Sequence, residues 1–472
     1  MAKDLRSFLG RIEKTMPEEL VRVAREVGPV YELPGVVRRL QAERRYPVVL
    51  FDHVEGSGLR AVSNVLGSTR LLAEALDTTP REMTQVYIDR EDARIPYDVV
   101  DDAPVHDVVV AGDDIDLATI PIVTNCEKDS GAFISGGITS VRVPGTDKHN
   151  SGIYRMMVHS RTTLGMSYEK HTHIGRVHRQ FEERGEPLEA VTWIGHHPAC
   201  LLGCQSKIPY GEDEFEVMGG LLQEPLRLTK AKTVDVMVPA DAEIVIEGRI
   251  LPRERIGEGP YGEFTWYYGL ERPSPVMEVT AITHRRDAIY HHLFAAHPEH
   301  NLTGRLGREA VLYKRVKAAV PSVIDVAMPM SGICRFHAYV RIRKEYDGAG
   351  KLAALAALAS DPFVKLAVVV DEDVDIYNDA EVLWAIATRT QPDRSTFFVP
   401  ESATSRLDPA SYSIWSRWEK DTMNTKWAID ATMPVEAPFE ERADVPRRVW
   451  EDMDLQEYLA EWQSIETGAS RG

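Results

Sequence analysis

Between residues 106 and 295, Gly, Pro and Asp break the chain into short runs rich in Val, Ile and Thr: "HDVVVAG", "GGITSVRV", "GIYRMMVHS", "TVDVMVPADAEIVIEGRILP" and "SPVMEVTAITHRRDAIYHHLF". Closely spaced strands of this kind bury their inward faces by closing into a barrel or pairing as a sandwich. One helical insertion is predicted near "GRVHRQFEERG". The flanks have a different texture. Residues 1–105 alternate helix and strand, with helical periodicity through "DLRSFLGRIEKTMPEELVRVAREV", a strand in "YPVVLFDHV" and a helix in "GSTRLLAEAL". "LGREAVLYKRVKAAVP" (306–321) reads as a linking helix stopped by Pro321. Residues 322–472 return to α/β alternation and continue into a polar loop, "IDATMP", and a terminal helix around "PRRVWEDMDLQEYLAEW". The expected fold class is therefore multidomain α/β (α+β). Its parts are an N-terminal α/β segment (1–105), a central strand-rich domain (106–305), a linker helix (306–321) and a C-terminal α/β domain (322–472).

Several function classes are disfavoured. The net charge is −18, and no basic run is present, so nucleic acid and anionic membrane surfaces are poor partners. No apolar stretch approaches the roughly 18 to 20 residues of a membrane helix. Four cysteines in 472 residues do not form a disulfide framework, and "MAKDLRSFLGRIEKTMPEEL" lacks the apolar core of a signal peptide. The expected location is the cytoplasm.

Several stretches carry candidate chemistry. In "RIGEGPYGEFTWYYG" (255–269), Glu258 and Glu263 bracket Gly259-Pro260-Tyr261-Gly262. Side chains five apart face opposite ways in a strand and lie about 140° apart in a helix, so only a turn brings these carboxylates together. Arg155, five residues past Asn150 in an expected strand, needs acidic partners if it faces inward, and the two glutamates are candidates. Histidines concentrate in "YEKHTHIGRVH" and "WIGHHPAC", near Cys200 and Cys204. A metal-dependent hydrolase would recruit these as zinc ligands, with His171 and His173 sharing one face of a strand. Asn150, His173 and Glu214 offer a harder donor set, suited to Mn²⁺ or Mg²⁺. "DEDVDI" (371–376) reads as a solvated strand end or a carboxylate metal site.

Taken in order, "NSGIYR" (150–155), "HTHIG" (171–175), "DEFEVMGGLLQEP" (213–225), "GEGPYGEFTWYYG" (257–269), "VVVDEDVDIYNDAEVLWAIATR" (368–389) and "IDATMP" (429–434) resemble conserved segments of the UbiD family of decarboxylases. The likeness runs from about residue 30 to 435. It implies that the central domain is a split β-barrel binding prenylated FMN as electron sink for reversible, non-oxidative decarboxylation. Arg155, Glu258 and Glu263 match the family's catalytic arginine and glutamates, with Glu263 as proton donor. Asn150, His173 and Glu214 match the ligands of a Mn²⁺ or Mg²⁺ that holds the cofactor phosphate, with K⁺ as a further cation. Ile153, Tyr154, Arg155, Thr172, His173, Ser206, Glu214 and Lys426 are the implied cofactor contacts; Thr172 stands where many relatives have Gln. A flavin prenyltransferase would supply the cofactor, and a homodimer or dimer-based hexamer is the implied assembly.

For the substrate, "AAHPEHNLTGRL" (295–306) is expected as a loop at the pocket mouth, with His297, Asn301 and Arg305 meeting a ring heteroatom or second carboxylate and Phe336 and His337 on the far wall. The expected substrate is an indole-, pyrrole- or furan-type carboxylic acid, released as CO₂ and the parent ring. Alternatives are a phenolic or cinnamic acid in the same family, a metal-dependent hydrolase, a non-catalytic flavin-binding subunit and an ordinary flavin oxidoreductase.

Overall fold

The computed structural model describes residues 3–412, 423–451 and 453–458. The chain divides into two compact units, the first comprising residues 1–311, 332–335 and 403–424 and the second residues 312–331, 336–402 and 425–472. The division falls within the helix Arg305–Ala319.

The first unit is built on an antiparallel sheet that curls into a half-barrel, with nine strands among the described residues. Its path runs Phe133–Ile134, Met156–Val158, Thr163–Met166, Arg272–His284, Ile244–Glu258, Leu188–Ile194, Ile138–Arg142, His149–Ile153, and Val108–Ala111 adds to Arg272–His284. The two long strands pair over most of their length, with register irregularities at Glu247/Gly248 and Ile250/Arg255. Bulges bend a strand and re-aim its end, and this strand ends at Glu258. The run Ile244-Val245-Ile246 is buried on both faces, so it reads as continuous apolar sequence rather than as alternation. A smaller sheet orders Leu20–Val23, Val48–Phe51, Arg60–Ser63 and Ile289–His292. Val49 and Phe51 from it share one core with Ile134, Leu164, Ile246 and Met277 of the half-barrel.

The predicted helical insertion is the helix His173–Arg184, capped at its start by Thr172 and ended by Gly185 at φ +71°. His171 and His173 therefore do not share a strand face: the Thr172 hydroxyl accepts from Gly175 N and starts a helix instead. The long N-terminal periodicity is also interrupted. Helix Leu5–Thr15 gives way at Pro17 to a 3₁₀ turn and the strand Leu20–Val23, because proline lacks the N–H that continues a helix.

The second unit carries a five-stranded sheet ordered Val323–Ala327, His337–Ile342, Leu366–Asp371, Met423–Ala431, Thr396–Ala403. Helices Ala349–Leu358 and Asp379–Arg389 follow successive strands, as parallel pairing requires. "IDATMP" is only half loop: Ile429-Asp430-Ala431 complete a strand paired with Val368-Val369-Val370. Asp371 is buried, whereas Asp373 stands at the surface with its side chain 35% exposed, as a solvated strand end does. Arg389, its side chain 2% exposed, bridges both carboxylates. Of the terminal helix, short turns occur at Arg447–Trp450 and Leu455–Tyr458, and residues 459–472 lie outside the described residues.

Candidate active site

Glu258 closes the strand Ile244–Glu258, and Gly259 follows at φ +99°, a conformation that suits glycine alone. The chain then forms a tight hairpin in which Tyr261–Gly262 pairs with Tyr268–Gly269, and Glu263 N donates to Tyr267 O at 2.9 Å. Both carboxylates thereby reach one cation. Arg155 Nε and Nη2 donate to the two oxygens of Glu258 at 2.6 and 3.0 Å, and Nη1 donates to Glu263. Arg155 lies in the irregular link between strands His149–Ile153 and Met156–Val158 rather than in a strand, so its side chain is freed from strict alternation. Gly269 gives Glu263 room: a Cβ there would stand 3.0 Å from Glu263 Oε1.

The cluster is dry. Side-chain exposures are 11% for Arg155, 1% for Glu258 and 7% for Glu263. Burial is the largest influence on the Arg155 guanidinium and lowers its pKa, but Glu263 and Glu258 outweigh it and the net shift is upward. Tyr261 completes the cage, its ring centroid 4.5 Å from Arg155 Cζ and its hydroxyl donating to Ser135 Oγ at 3.0 Å. Sequence reasoning passed over Tyr261 although it sits inside the "GPYG" turn.

Asn150, on the strand His149–Ile153, meets Glu214, at the start of the helix Glu214–Leu222. Asn150 Nδ2 donates to Glu214 Oε1 at 3.0 Å, Ser151 N donates to Oε2 at 2.9 Å, and His173 Nδ1 lies 4.0 Å from Oε1. Asn150 Oδ1 is buried without a hydrogen-bond partner, and burial pushes Glu214 up to about 8. An orphaned amide oxygen, an imidazole and a buried carboxylate are the donor set a hard divalent cation takes, so these residues fit Mn²⁺ or Mg²⁺. The cysteines do not present themselves as thiolates. Burial raises the pKa of both Cys200 and Cys204, whose sulfurs contact His196 Nδ1 at 3.2 Å and Leu201 O at 3.1 Å.

The remaining expected contacts vary. Thr172 Oγ1 donates to Glu169 O at 2.6 Å as part of its cap, and Ser206 Oγ donates to Glu91. Ile153 and Tyr154 precede Arg155, with the Tyr154 ring 5.8 Å from Tyr168. In the second unit, Lys426 Nζ donates to Leu358 O and Asp361 O, both at 3.1 Å, His337 opens a strand, and Phe336 lies beneath Lys365 Nζ at 5.6 Å.

A cleft of about 410 Å³ opens beside the hairpin, lined in part by Arg38, Tyr46, Cys126, Gly262, Trp266 and His297. The His297 ring stacks on Phe294 at 3.6 Å, and burial lowers its pKa to about 4, which keeps the ring neutral. Asn301 and Arg305 are not loop residues. The segment folds into helix Pro298–Thr303 and the start of Arg305–Ala319, both side chains are buried, Asn301 Oδ1 accepts from Arg335, and Arg305 pairs with Glu309 at 2.7 Å. Local apolar residues Leu302 and Leu306 draw that segment inward.

Sequence profiles of the 3-octaprenyl-4-hydroxybenzoate carboxy-lyase match almost the whole chain: its N-terminal domain over residues 14–91, its Rift-related domain over 98–298 and its C-terminal domain over 301–431. The chain belongs to the UbiD family of carboxy-lyases. This UbiD-family decarboxylase is 34% identical to anhydromevalonate phosphate decarboxylase of Methanothermobacter thermautotrophicus over 91% of the chain and 97% of that protein. Among solved structures it is similar to the UbiD-class enzyme HmfF from Pelotomaculum thermopropionicum in complex with FMN (38% identity, TM-score 0.89, 97% of this chain and 100% of that one). It is also similar to an evolved dimeric form of HmfF in complex with prFMN (36% identity, TM-score 0.86, the same coverage). The fold class and family expected from sequence hold.

Proposed function

We propose that this UbiD-family enzyme is a reversible, non-oxidative decarboxylase of a heteroaromatic carboxylic acid of the indole, pyrrole or furan type, using prenylated FMN. The observation that carries the reading is Arg155 held between two buried carboxylates, one of them on a hairpin beside an aromatic-rich cleft. Glu263 delivers the proton to the carbon that has lost CO₂ and recovers it from solvent. Glu258 fixes the guanidinium plane through its two-point contact, and Arg155 offsets the negative charge that develops during the reaction. Prenylated FMN, when bound, supplies the electrophilic ring system that accepts the electron pair left by CO₂. HmfF structures with FMN and prFMN support that cofactor here.

Asn150, His173 and Glu214 would hold Mn²⁺ or Mg²⁺ at the cofactor phosphate, with K⁺ as an additional cation. Ile153, Tyr154, Thr172, Ser206 and Lys426 would contact the cofactor, residues 106–305 would form the cofactor-binding domain, and residues 322–472 would serve assembly as a homodimer or a dimer-based hexamer. The name of the 34% identical archaeal relative favours a second reading, a non-aromatic phosphorylated acid.

The test uses protein produced together with a flavin prenyltransferase. The cofactor is released and its mass measured, then CO₂ release is followed with indole, pyrrole and furan carboxylates beside anhydromevalonate phosphate. Prenylated FMN with turnover of a heteroaromatic acid supports the first reading; turnover of the phosphorylated acid alone replaces it with the second.

A further inference from the structure

The tripeptide Tyr261-Gly262-Glu263 touches Arg155 at both ends: the Tyr261 ring lies against the guanidinium and the Glu263 carboxylate pairs with it. Its middle is held from elsewhere. Gly262 N donates to Asp129 Oδ1 at 2.9 Å, across 133 residues of sequence, and Asp129 Oδ2 accepts from Cys126 N at 2.9 Å. Asp129 is 8% exposed, so this carboxylate spends its oxygens on main-chain donors in a water-poor place. The same segment grips the hairpin again where Ser130 N donates to Pro260 O at 3.1 Å. The approach is close, since a Cβ on Gly262 would stand 2.9 Å from Cys126 Sγ. A carboxylate needed only to close its own turn would not reach a strand so distant in sequence.

We propose that Asp129 is a positioning residue: by fixing the Gly262 peptide it sets the adjacent Glu263 carboxylate at the geometry from which it delivers a proton. The proposal rests on the reading of Glu263 as proton donor. The Asp129 carboxylate accepts from main-chain N–H groups and acts through the backbone. Losing its grip lets the hairpin drift, and a misplacement near 1 Å costs on the order of 10²-fold in rate.

The experiment compares D129A, D129N, E263Q and the double variant D129A/E263Q as cofactor-loaded enzyme, with S130A as a control that removes the hydroxyl contacts to Pro260 O of the same hairpin and to Met157 Sδ but keeps the Ser130 N–H bond. The readouts are kcat, KM, flavin content and exchange of the product C–H with deuterated solvent. D129A is expected to lower kcat and the exchange rate by about 10²-fold, with KM within about threefold and flavin content unchanged. D129N, whose amide oxygen still accepts one N–H, loses less, and S130A stays near wild type. The double variant is no slower than E263Q alone, because both act on one proton transfer. Wild-type kcat in D129A, or losses that multiply in the double variant, would overturn the role of Asp129. If D129A does not fold, D129N and its double with E263Q make the same comparison. Full activity in E263Q removes the underlying reading and this proposal with it, and that outcome shows in the single variant.

Discussion

Arg155 grips Glu258 as a fork, with Nε and Nη2 on opposite oxygens of one carboxylate at 2.6 and 3.0 Å. Lysine carries the charge without the planar pair of donors, so it satisfies one carboxylate at a time. Arg155→Lys is expected to load cofactor and lose at least about tenfold in kcat. Arg155→Met leaves two buried carboxylates without a cation and is expected to lower stability by about 3–5 kcal/mol, read from urea unfolding. An Arg155→Lys variant with wild-type kcat would show that the fork geometry is dispensable.

Glu263→Gln keeps the shape of the side chain and removes the carboxyl that can act as an acid. Turnover should fall by about 10²- to 10⁴-fold with flavin content unchanged. Visible absorbance and CO₂ release on the same sample separate loss of chemistry from loss of cofactor.

The partnerless Asn150 Oδ1 and the Glu214 carboxylate beside it make a metal prediction. Glu214→Gln removes the only anionic donor of the proposed set, and Asn150→Leu removes the amide oxygen. Each is expected to weaken Mn²⁺ binding by more than about tenfold, measured by equilibrium dialysis and elemental analysis. Unchanged Mn²⁺ content in both would place the metal elsewhere.

Stability should depend on pH through buried histidines. Burial presses His196 to about 4 and His197, His292 and His300 each to about 3. His292 is held neutral between Ser63 Oγ at 3.0 Å and Asn125 Oδ1 at 2.7 Å. Unfolded, these rings titrate near 6.5. The folded values lie below the unfolded one, so the unfolded chain binds more protons over that window. The stability they contribute is therefore fully present above about pH 6.5 and is lost as pH falls toward about 3. Urea midpoints should be lower at about pH 5 than at about pH 7, and His292→Asn should reduce the slope. A flat profile would contradict the neutral buried state.

Much of the architecture is legible along the chain because it depends on local pattern. The Gly- and Pro-punctuated runs of the middle announce strands, and Thr172 and Gly185 bracket the inserted helix. Expectations failed where a local signal met a distant partner. The N-terminal periodicity continued on paper past Pro17, while the chain there turned into a strand pairing with Val48–Phe51. "AAHPEHNLTGRL" has the polarity of a loop, yet Asn301 is buried with a partner 34 residues away, Arg335, while Arg305 is buried against Glu309 one helical turn on. In "DEDVDI" the solvated reading holds for Glu372 and Asp373, which are exposed, while Asp371 is buried against Arg389 of the following helix.

The sequence by itself determined the elements and the chemistry available: a Gly-Pro turn flanked by two glutamates, an arginine in need of acids, and an Asn, His and Glu suited to a hard cation. Tertiary structure alone decided who meets whom. Arg155 lies 103 residues from Glu258 and 108 from Glu263, and Asp129 lies 133 from Gly262. Such contacts form only when the half-barrel closes, since hydrophobic burial shared across the sheet fixes strand register and brings distant side chains together, which no local propensity encodes.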